Sequence, residues 1–576
     1  MERGESDSLV GSLFGGFSTV IGAELTDQTE RISLAAGEWL FREGDRADHA
    51  YLVHSGRVEI VAEHPTEVVL RQVKRSEMFG EHALLMGGSR TTSVRASRDS
   101  ELTQLSRVQF EKLLFESPGF ALGLLRAMAT QISSVRAAFG EPTTPGTIAV
   151  IGLDPAAPVA RIGAELTTGI AAHTSVEELK PEADSDQSDF RGLLKRTEAT
   201  TQHVVLTAGC DAVGDPWTSF CLREADIVIA VTTGSATPDW LQQRKILEGC
   251  ELIVLDAPLG PELLAIAPRE VQVVRGEAAL RDAIAATARR LAGRAVGLVL
   301  SGGGARAFAH LGVLEELEKA GIAIDRYAGV SLGALISGVA AGGAGSGEMI
   351  EWSQRVFVDS NPSSDYTIPA YSLIRGRKTR RRLEEFFGER RIEELERRWF
   401  CVSADLVARE LIVHRTGLMV DAVYSSLALP GVFPPIPTED GRLLVDGGVI
   451  DNLPVETMGR RAEGPIVAVD VTQRLGMPAP ARRPGLEWMA KRMRRVLTGY
   501  EQRLPALSET ISGSIALGSS DTVNAALQHA DLVISPRVEG VGLLDWGQLP
   551  RAVEMGRRAA REALEAAAPQ LESWTR

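Results

Sequence analysis

The amino-acid sequence predicts a multidomain α/β protein, in which an N-terminal β jelly-roll with a lid helix precedes a middle Rossmann-like α/β domain and a further α/β domain at the C-terminus. The chain has 576 residues, which is too many for one hydrophobic core. Short apolar runs separated by turn residues occupy 35–115, and apolar strand runs that alternate with helical stretches begin at Thr147. These patterns place the predicted domains at 1–140, 141–293 and 294–576.

The composition is typical of a globular protein and argues against a nucleic-acid-binding or a membrane-spanning one. The apolar fraction of 44% and the charged fraction of 24% are those of an ordinary globular protein. A net charge of −14 opposes binding to nucleic acid, which depends on clustered positive charge. The polar N-terminus predicts no signal peptide, and the absence of a run of ~20 strongly apolar residues predicts no membrane-spanning helix. The four cysteines form no CxxC pair, so we expect neither a metal site nor disulfides, in a reducing cytoplasmic setting.

The N-terminal domain carries a candidate binding motif at 79–92, FGEHALLMGGSRTT. A helix start with available N–H groups, an acid that can bind a ribose hydroxyl and an arginine that can pair with a phosphate would together recognise a cyclic nucleotide. The motif resembles the phosphate-binding cassette of cyclic-nucleotide-binding domains, and the resemblance covers residues 30–140. It implies that Glu81 binds the ribose 2′-hydroxyl and that Arg90 binds the cyclic phosphate.

The other cassette positions do not decide which cyclic nucleotide binds. Gly80 and Ala83 agree with the cassette, whereas His82 stands where an apolar residue is commoner. Thr91 replaces the alanine of many cAMP-selective members, and its hydroxyl could hold a guanine, so cAMP and cGMP are both candidates for a regulatory ligand. The alternative is a retained fold that binds no ligand. A DNA-binding helix-turn-helix is not expected, because an α/β pattern follows the lid helix.

A glycine-rich loop opens the C-terminal domain, where an apolar strand at 296–300 runs into Gly302, Gly303, Gly304, Ala305 and Arg306. The N–H groups of such a loop can stabilise developing negative charge, as in an oxyanion hole, or they can hold a phosphate. The phosphate alternative is a dinucleotide site, with Asp325 at the position of a ribose-binding acid. Ala307 stands where a third glycine is usual, which counts against the dinucleotide.

Two further motifs supply a candidate nucleophile and a candidate base. Ser331 lies in a GxSxG sequence, whose flanking Gly329 and Gly333 permit the sharp strand-to-helix turn that exposes a serine hydroxyl. Asp446 ends an apolar strand and could accept the serine proton directly. A tight turn follows it at Gly447 and Gly448, so little side-chain bulk surrounds the carboxylate.

Three interpretations of Ser331 and Asp446 are possible. Asp446 could merely stabilise its own turn, as Asp often does before Gly. A Ser-His-Asp triad would need a histidine after the acid, and His529 alone follows Asp446 in the sequence. His310 is expected to pack against the glycine loop rather than to act in catalysis. A direct Ser331–Asp446 pair is the third reading.

In combination, the glycine loop at 302–306, the elbow at 329–333, SLALPGVFPP at 426–435 and the DGG turn at 446–448 resemble the four ordered blocks of patatin-like phospholipases. The resemblance implies a patatin-like α/β hydrolase domain with a Ser-Asp dyad and no histidine. It also implies an oxyanion hole in the glycine loop, steadied by Arg306, and hydrolysis of lipid acyl esters without a required cofactor. The sequence departs from the family at Ala307, where glycine is usual.

The middle domain contains no GxxxxGK[ST] loop, so we expect it to bind no phosphate. Its segment VVLTAGCDAVGDPWTSFCLREADIVIAV resembles the region before the catalytic domain in neuropathy target esterases, whose order of nucleotide-binding and patatin modules the chain shares. This resemblance implies a phospholipid or lysophospholipid substrate. The membrane-spanning helix at the start of the eukaryotic members is not expected here. The contrasting hypothesis is a non-enzymatic cyclic-nucleotide sensor whose C-terminal domain only binds lipid or a partner.

Two basic clusters could bring the C-terminal domain to a lipid surface, in peripheral contact with the inner face of the membrane. Apolar side chains interleave with the charges of the second cluster, as in an interfacial amphipathic helix. The alternative is a solvated helix face paired with neighbouring Glu residues. The clusters are Arg375, Arg377, Lys378, Arg380, Arg381 and Arg382, and Arg482, Arg483, Lys491, Arg492, Arg494 and Arg495.

Overall fold

A computed structural model describes most of the chain, and it divides into two compact units. Unit 1 comprises Met1–Gly163, Val176–Ile229 and Pro238–Leu247, and unit 2 comprises Ala164–Ser175, Ala230–Thr237 and Glu248–Arg576. Within the described residues, no helix is both long enough and apolar enough to cross a membrane. The described residues are 30–62, 68–73, 78–86, 89–116, 146–180, 187–209, 215–234, 247–368, 371–459, 463–472, 513–514, 517–571 and 574.

Unit 1 begins with a six-stranded antiparallel sheet in the order β1-β6-β3-β4, with β2 paired to β6 and β5 to β3. Alternating apolar residues of these strands, among them Val53, Val94 and Leu102, pack with Phe79 into one core. The sheet confirms the predicted jelly-roll, whereas the predicted lid helix at 117–139 lies outside the described residues. The elements are β1 (Glu30–Leu34), β2 (Trp39–Phe41), β3 (His49–Ala62), β4 (Val68–Val73), β5 (Met78–Phe79), α1 (Glu81–Met86), β6 (Ser93–Ser106) and α2 (Arg107–Glu116).

The rest of unit 1 is an α/β layer in which β9 pairs in parallel with both β7 and β8. Strands β7 and β9 are mostly apolar and nearly all of their residues are buried, and alternate side chains of both strands pack in a cluster that includes Phe190, Trp217 and Phe220. The elements are β7 (Thr147–Gly152), α3 (Val159–Ala171), β8 (Val176–Leu179), α4 (Gln187–Glu198), β9 (His203–Ala208), α5 (Pro216–Glu224) and β10 (Ile227–Thr232), of which α3 and β10 each contain residues of both units.

Unit 2 opens with β11 (Glu251–Leu255) and β12 (Glu270–Val274), which pair in parallel. Helices α6 (Pro261–Leu264) and α7 (Glu277–Leu291) follow these strands, one after each. The strand and helix types agree with the predicted α/β class. The boundaries predicted at 140 and 293 stay a prediction.

The largest sheet of unit 2 has eight strands in the order β17-β18-β15-β14-β13-β19-β20, with β16 paired to β15. Strands β15, β14, β13, β19 and β20 are parallel, and the edge formed by β16, β17 and β18 is antiparallel. The strands are β13 (Gly297–Leu300), β14 (Arg326–Gly329), β15 (Arg398–Asp405), β16 (Glu410–His414), β17 (Ile436–Pro437), β18 (Leu443–Asp446), β19 (Ile466–Val469) and β20 (Leu532–Ile534).

Helices cover this sheet, and their apolar faces join its buried strands in one large core that contains Leu298, Leu335 and Val467. A 3-10 turn at 304–308 separates the glycine loop from the first of them. The helices are α8 (Ala309–Lys319), α9 (Leu332–Ala341), α10 (Ser346–Ser353), α11 (Arg377–Phe387), α12 (Met419–Ser426), α13 (Val455–Gly459), α14 (Ser520–His529), α15 (Leu549–Ala566) and α16 (Ala568–Leu571).

A buried ionic network ties several segments of unit 2 together. The carboxylate of Glu251 accepts hydrogen bonds from Arg290 and, at 3.0 Å, from Arg398. Glu463 accepts from Arg290 at 3.2 Å and from Arg326 at 3.0 Å. Buried charges of this kind are tolerated when each has a partner, and removing one partner leaves the others uncompensated.

Candidate active site

The candidate nucleophile lies on a strained turn between β14 and α9. Strand β14 ends at Gly329 and α9 begins at Leu332, so Ser331 is the residue at the corner. Its backbone has φ 55° and ψ −127°, a positive φ that a residue with a side chain adopts at a cost. This is the geometry in which a serine hydroxyl is raised at the end of a parallel strand, as the GxSxG pattern predicted.

The two glycines of the elbow are required by close backbone approach. A Cβ on Gly329 would lie 2.4 Å from the carbonyl carbon of Gly333, which is far inside van der Waals contact. A Cβ on Gly333 would lie 2.5 Å from the carbonyl oxygens of both Leu300 and Ser301. The start of α9 therefore packs directly on the end of β13, and this packing holds Ser331 at the strand ends.

Ser426 supports the elbow and was not singled out from the sequence. The backbone N–H of Ser331 donates a 2.9 Å hydrogen bond to Ser426 Oγ, which itself donates to the carbonyl oxygen of Val402 at 2.8 Å. The strained nucleophile is thereby tied to strand β15. Ser426 begins the SLALPGVFPP block, so the motif was visible in the sequence while the contact was not.

Asp446 lies at the end of β18, 2% exposed, and it lines the same cleft as Ser331. Its carboxylate accepts a 2.9 Å hydrogen bond from the N–H of Gly448. Burial raises the pKa of Asp446 to about 6, against the lowering effect of the nearby Ser331 side chain and of the N–H of Gly448. The carboxylate does stabilise its own turn, as the competing interpretation expected, and it lies near the candidate nucleophile as well.

The glycine loop lies beside Ser331, and its N–H groups differ in what they contact. The N–H of Gly302 donates to Asn452 Oδ1 at 3.2 Å, and that of Ala305 donates to the carbonyl oxygen of Leu543 at 2.8 Å. In the part of the chain that the structure describes, no acceptor takes the N–H of Gly303 or Gly304. These two donors are the ones available to an incoming oxyanion.

Two side chains fix the position of this loop. Arg306 is buried, and its Nε donates a 2.9 Å hydrogen bond to the carbonyl oxygen of Val541. Asn452 contacts the loop from the other side through Gly302 and also donates to Thr472 Oγ1 at 3.0 Å. The sequence pattern indicated a steadying role for Arg306 but did not single out Asn452, which lies six residues after Asp446.

The loop, the elbow and Asp446 line one cleft. Its polar lining includes Ser331, Asp446 and Asn452. The rest of the lining is largely apolar, as a pocket for a hydrocarbon chain must be, and we call this part the apolar wall. Its members are Leu332, Leu427, Leu429, Val432, Phe433, Leu543, Leu544 and Trp546.

The two histidines lie elsewhere. His310 is fully buried in α8, where its Nε2 lies 2.9 Å from the carbonyl oxygen of Ser301, and burial lowers its pKa to about 4. It packs under the glycine loop, as expected. The exposed His529 Nδ1 lies 2.8 Å from the carbonyl oxygen of Ala525 in its own helix. Neither residue is among those that line the cleft in the described part of the chain.

Asp325, the acid that the dinucleotide alternative requires, is engaged in an ion pair. Both of its oxygens accept hydrogen bonds from Arg289 Nε, each at 3.2 Å, and the carboxylate is 5% exposed. A carboxylate held in this way is not presented to a ribose hydroxyl. The glycine loop is instead placed next to Ser331, and this favours the oxyanion role over the dinucleotide.

In the N-terminal domain, the two predicted ligand side chains are both buried: Glu81 at the start of α1 and Arg90 before β6, each 4% exposed. Arg90 donates to the carbonyl oxygens of Gly80 at 3.0 Å and of His49 at 2.7 Å, and its guanidinium lies 4.0 Å from the centre of the Phe41 ring. A cyclic phosphate would compete with these two carbonyls for the same donors.

The other two cassette residues differ in exposure. Ala83 is buried in α1, while Thr91 is exposed next to Arg90. A hydroxyl at this exposed position is open to an incoming ligand, whereas a side chain at position 83 contributes to packing.

Comparison with known proteins gives the family. Residues 298–458 match the patatin-like phospholipase family, and residues 31–117 match the cyclic nucleotide-binding domain family. An NTE family protein of Mycobacterium tuberculosis is 33% identical over 559 residues, covering 94% of this chain and 93% of its own. The lysophospholipase nte1 of Aspergillus fumigatus is 25% identical over 93% of this chain and 42% of its own.

Two further comparisons cover less of this chain. The neuropathy target esterase sws of Drosophila melanogaster is 25% identical over 76% of this chain and 36% of its own length. The crystal structure of the N-terminal domain of a transcriptional regulator from Streptomyces coelicolor matches 22% of this chain with 32% identity and a TM-score of 0.19. On the identity it shares with the mycobacterial protein along nearly the full length of both chains, the protein belongs to the NTE family, with a patatin-like phospholipase domain behind a cyclic nucleotide-binding domain.

Proposed function

We propose that the protein hydrolyses acyl esters of lysophospholipids or phospholipids through a Ser331–Asp446 dyad. The observation that carries this proposal is that the strained Ser331 and the buried Asp446 carboxylate line one cleft, together with two N–H donors of the glycine loop and apolar side chains. Ser331 Oγ attacks the ester carbonyl carbon while Asp446 takes the hydroxyl proton. The carbonyl oxygen becomes an oxyanion that the N–H groups of Gly303 and Gly304 stabilise.

The second half of the reaction uses the same groups. When the tetrahedral intermediate collapses, the alcohol of the lipid leaves with a proton from Asp446, and an acyl-Ser331 ester remains. A water molecule then gives a proton to Asp446 and attacks the acyl carbonyl carbon. When this second tetrahedral intermediate collapses, the bond to Ser331 Oγ breaks, Asp446 returns the proton to Oγ, and the fatty acid is released. The apolar wall that includes Val432 and Phe433 would hold the acyl chain throughout.

Fatty-acid release from lysophosphatidylcholine tests this function. We expect the purified full-length protein to turn over this substrate at a rate on the order of 1–10³ s⁻¹, as most enzymes do. Release from diacyl phosphatidylcholine measured beside it would separate the two substrate classes. The non-enzymatic sensor hypothesis predicts the opposite result, namely lipid binding without release of fatty acid from any acyl ester.

The raised pKa of Asp446 predicts a pH dependence. Only the ionised carboxylate can accept the serine proton, and the ionised fraction falls about tenfold for each pH unit below a pKa of about 6. We expect kcat/KM for a soluble ester to be level above about pH 7 and to drop with unit slope below about pH 6. Circular dichroism at each pH controls for unfolding. A profile that stays flat to pH 4.5 in a folded protein would contradict a base with this pKa.

We also propose that the N-terminal domain binds a cyclic nucleotide that regulates the hydrolase. The match to the cyclic nucleotide-binding domain family and the presence of Glu81 and Arg90 support this proposal. The phosphate of cAMP or cGMP would take the Arg90 donors from the carbonyl oxygens of Gly80 and His49.

Calorimetric titration with cAMP and with cGMP checks this proposal. Arg90→Lys keeps the charge but loses the paired donors, so we expect Kd to rise at least about tenfold, or ~1.4 kcal/mol. Arg46→Lys is the matched control, since Arg46 is an exposed arginine whose ion pair is with Asp48. If neither nucleotide binds the wild-type protein, the retained-fold alternative is correct.

We propose, finally, that the protein works in the cytoplasm in peripheral contact with a lipid surface. The first basic cluster begins beside α11 and runs into it, where Arg381 and Arg382 form ion pairs with Glu385 on the same helix. The second basic cluster, at 482–495, lies outside the described residues. The solvated-face alternative therefore fits part of the first cluster, while Arg375, Arg377 and Lys378 remain exposed at its start.

A further inference from the structure

Three large side chains stand out from the protein surface close together in the chain. Tyr366 is 65% exposed, Ile368 is 87% exposed and Tyr371 is 86% exposed. We call these three residues the aromatic rim. Single exposed apolar residues are common on soluble proteins, but a cluster of them costs solubility and marks a surface that contacts something else.

The rim belongs to a small hairpin with two paired legs. Tyr366 forms an antiparallel bridge with Ile374, the N–H of Thr367 donates to Leu373 at 3.0 Å, and that of Arg375 donates to Asp365 at 2.9 Å. The backbone of the legs is therefore satisfied by hydrogen bonds. The three side chains of the aromatic rim are nevertheless exposed to solvent. The hairpin therefore holds exposed apolar groups on a hydrogen-bonded backbone.

The hairpin is joined to the wall of the catalytic cleft. The N–H groups of Leu373 and Ile374 donate to the carbonyl oxygens of Gly431 and Val432, each at 2.9 Å. Ile374 is fully buried in a cluster with Val432 and Phe433, and both of these line the cleft beside Ser331. The rim thus stands next to the apolar side of the cleft, where an acyl chain would enter.

The charges around the rim fit an anionic lipid surface. Arg375 ends the second leg of the hairpin, Arg377 and Lys378 follow it, and all three are exposed in a chain whose net charge is −14. The ion pairs of the neighbouring helix involve Arg380, Arg381 and Arg382. Tyrosine side chains prefer the headgroup level of a bilayer, and lysine and arginine near the surface are attracted by anionic headgroups.

We propose that the aromatic rim inserts into the surface of an anionic phospholipid bilayer and holds the mouth of the cleft against it. A lipid acyl chain can then pass from the bilayer to the wall of Val432 and Phe433 without crossing water. This inference deepens the proposed contact with a lipid surface, and the identity of the substrate in it rests on the proposed hydrolase function, whereas insertion into the bilayer does not require hydrolysis. The occupant of this surface is the bilayer, not a second copy of the chain.

Vesicle sedimentation tests the rim separately from catalysis. Ser331→Ala would serve as the background, so that the lipid is not consumed, with vesicles of phosphatidylcholine and phosphatidylglycerol. We expect the combined change Tyr366→Ser, Ile368→Ser and Tyr371→Ser to lower the partition coefficient at least about tenfold. The control is Leu406→Ser with Val407→Ser, two side chains that are 46% and 66% exposed on the turn between β15 and β16. We expect it to change partitioning less than about twofold.

A soluble ester separates this inference from the proposed function. With Ser331 intact, the rim variant should hydrolyse p-nitrophenyl butyrate at the wild-type rate but release fatty acid from vesicle lipid more slowly. Equal sedimentation of the rim variant and its background would overturn the inference, as would equal losses in the rim and control variants. A rim variant that changes only the oligomeric mass would show that a second copy occupies the surface. If no ester is hydrolysed but rim-dependent sedimentation persists, the inference stands and the proposed function fails.

Discussion

Ser331→Ala is expected to lower kcat for fatty-acid release by at least about 10⁴-fold, while leaving the fold intact. The variant removes the only atom that forms the acyl bond, and the remaining cleft can offer binding and oxyanion stabilisation but no nucleophile. The loss should appear in kcat rather than in KM, because the hydroxyl contributes little to ground-state binding. Alanine suits the corner as well as serine does, since Ser331 uses its backbone N–H to contact Ser426.

Asp446→Asn should cause a loss of similar size, because an amide cannot accept the serine proton. Since asparagine keeps the shape of the side chain and can accept the N–H of Gly448, the change separates basicity from geometry. His529→Ala is the matched control and should keep the wild-type rate. If His529→Ala removed activity and Asp446→Asn did not, a histidine-dependent mechanism would replace the dyad. Fatty-acid release from lysophosphatidylcholine measures all three variants.

Gly333→Ala is expected to destabilise unit 2 by about 3 kcal/mol or more, which corresponds to a fall in Tm of at least about 6 °C. The new Cβ would meet the carbonyl oxygens of Leu300 and Ser301 at 2.5 Å, and these are the last residue of the central strand β13 and the residue that follows it. Backbone atoms in the middle of a sheet cannot move aside as a flexible side chain can. The start of α9 would have to shift, and Ser331 would shift with it.

Gly347→Ala provides the control for this prediction. Gly347 lies in helix α10, and a Cβ there would have no neighbouring atom within 4 Å. Alanine is the better helix former by about 1 kcal/mol, so this variant should keep or raise Tm. Thermal unfolding followed by circular dichroism compares the two substitutions. Equal Tm values for Gly333→Ala and the wild-type protein would mean that the helix and the strand are not packed as described.

The candidate catalytic motifs could be identified in the sequence because each of them is local. Ser331 and its glycines specify a turn within five residues, and Asp446 specifies another, so their geometry is fixed by neighbouring residues. The contact between Ser331 and Ser426 joins residues that lie 95 positions apart. A serine in an ordinary helix carries no local sign that its hydroxyl will meet a distant N–H, so this role could not be predicted.

The difference between local motifs and long-range contacts also explains which alternatives the sequence left open. Asp325 stands at a spacing that suits a ribose, and only the long-range contact with Arg289 shows that its carboxylate is taken. Asn452 follows the DGG turn at a spacing that could have been noted, but its partner Gly302 lies 150 residues earlier. The class and order of the elements followed from periodicity, whereas the partners of buried polar side chains depended on the tertiary fold.

The buried ionic network of unit 2 bears on where the chain can be cut. Glu251 and Arg290 precede the predicted start of the catalytic part at residue 294, while their partners Arg398 and Glu463 follow it. A recombinant fragment that began at residue 294 would keep Arg398 without the carboxylate of Glu251, and Glu463 would lose Arg290 and keep Arg326. Leaving a buried ion such as Arg398 without its partner costs on the order of 3–5 kcal/mol. A fragment intended for expression should therefore start near Glu248, where unit 2 begins its longest continuous stretch.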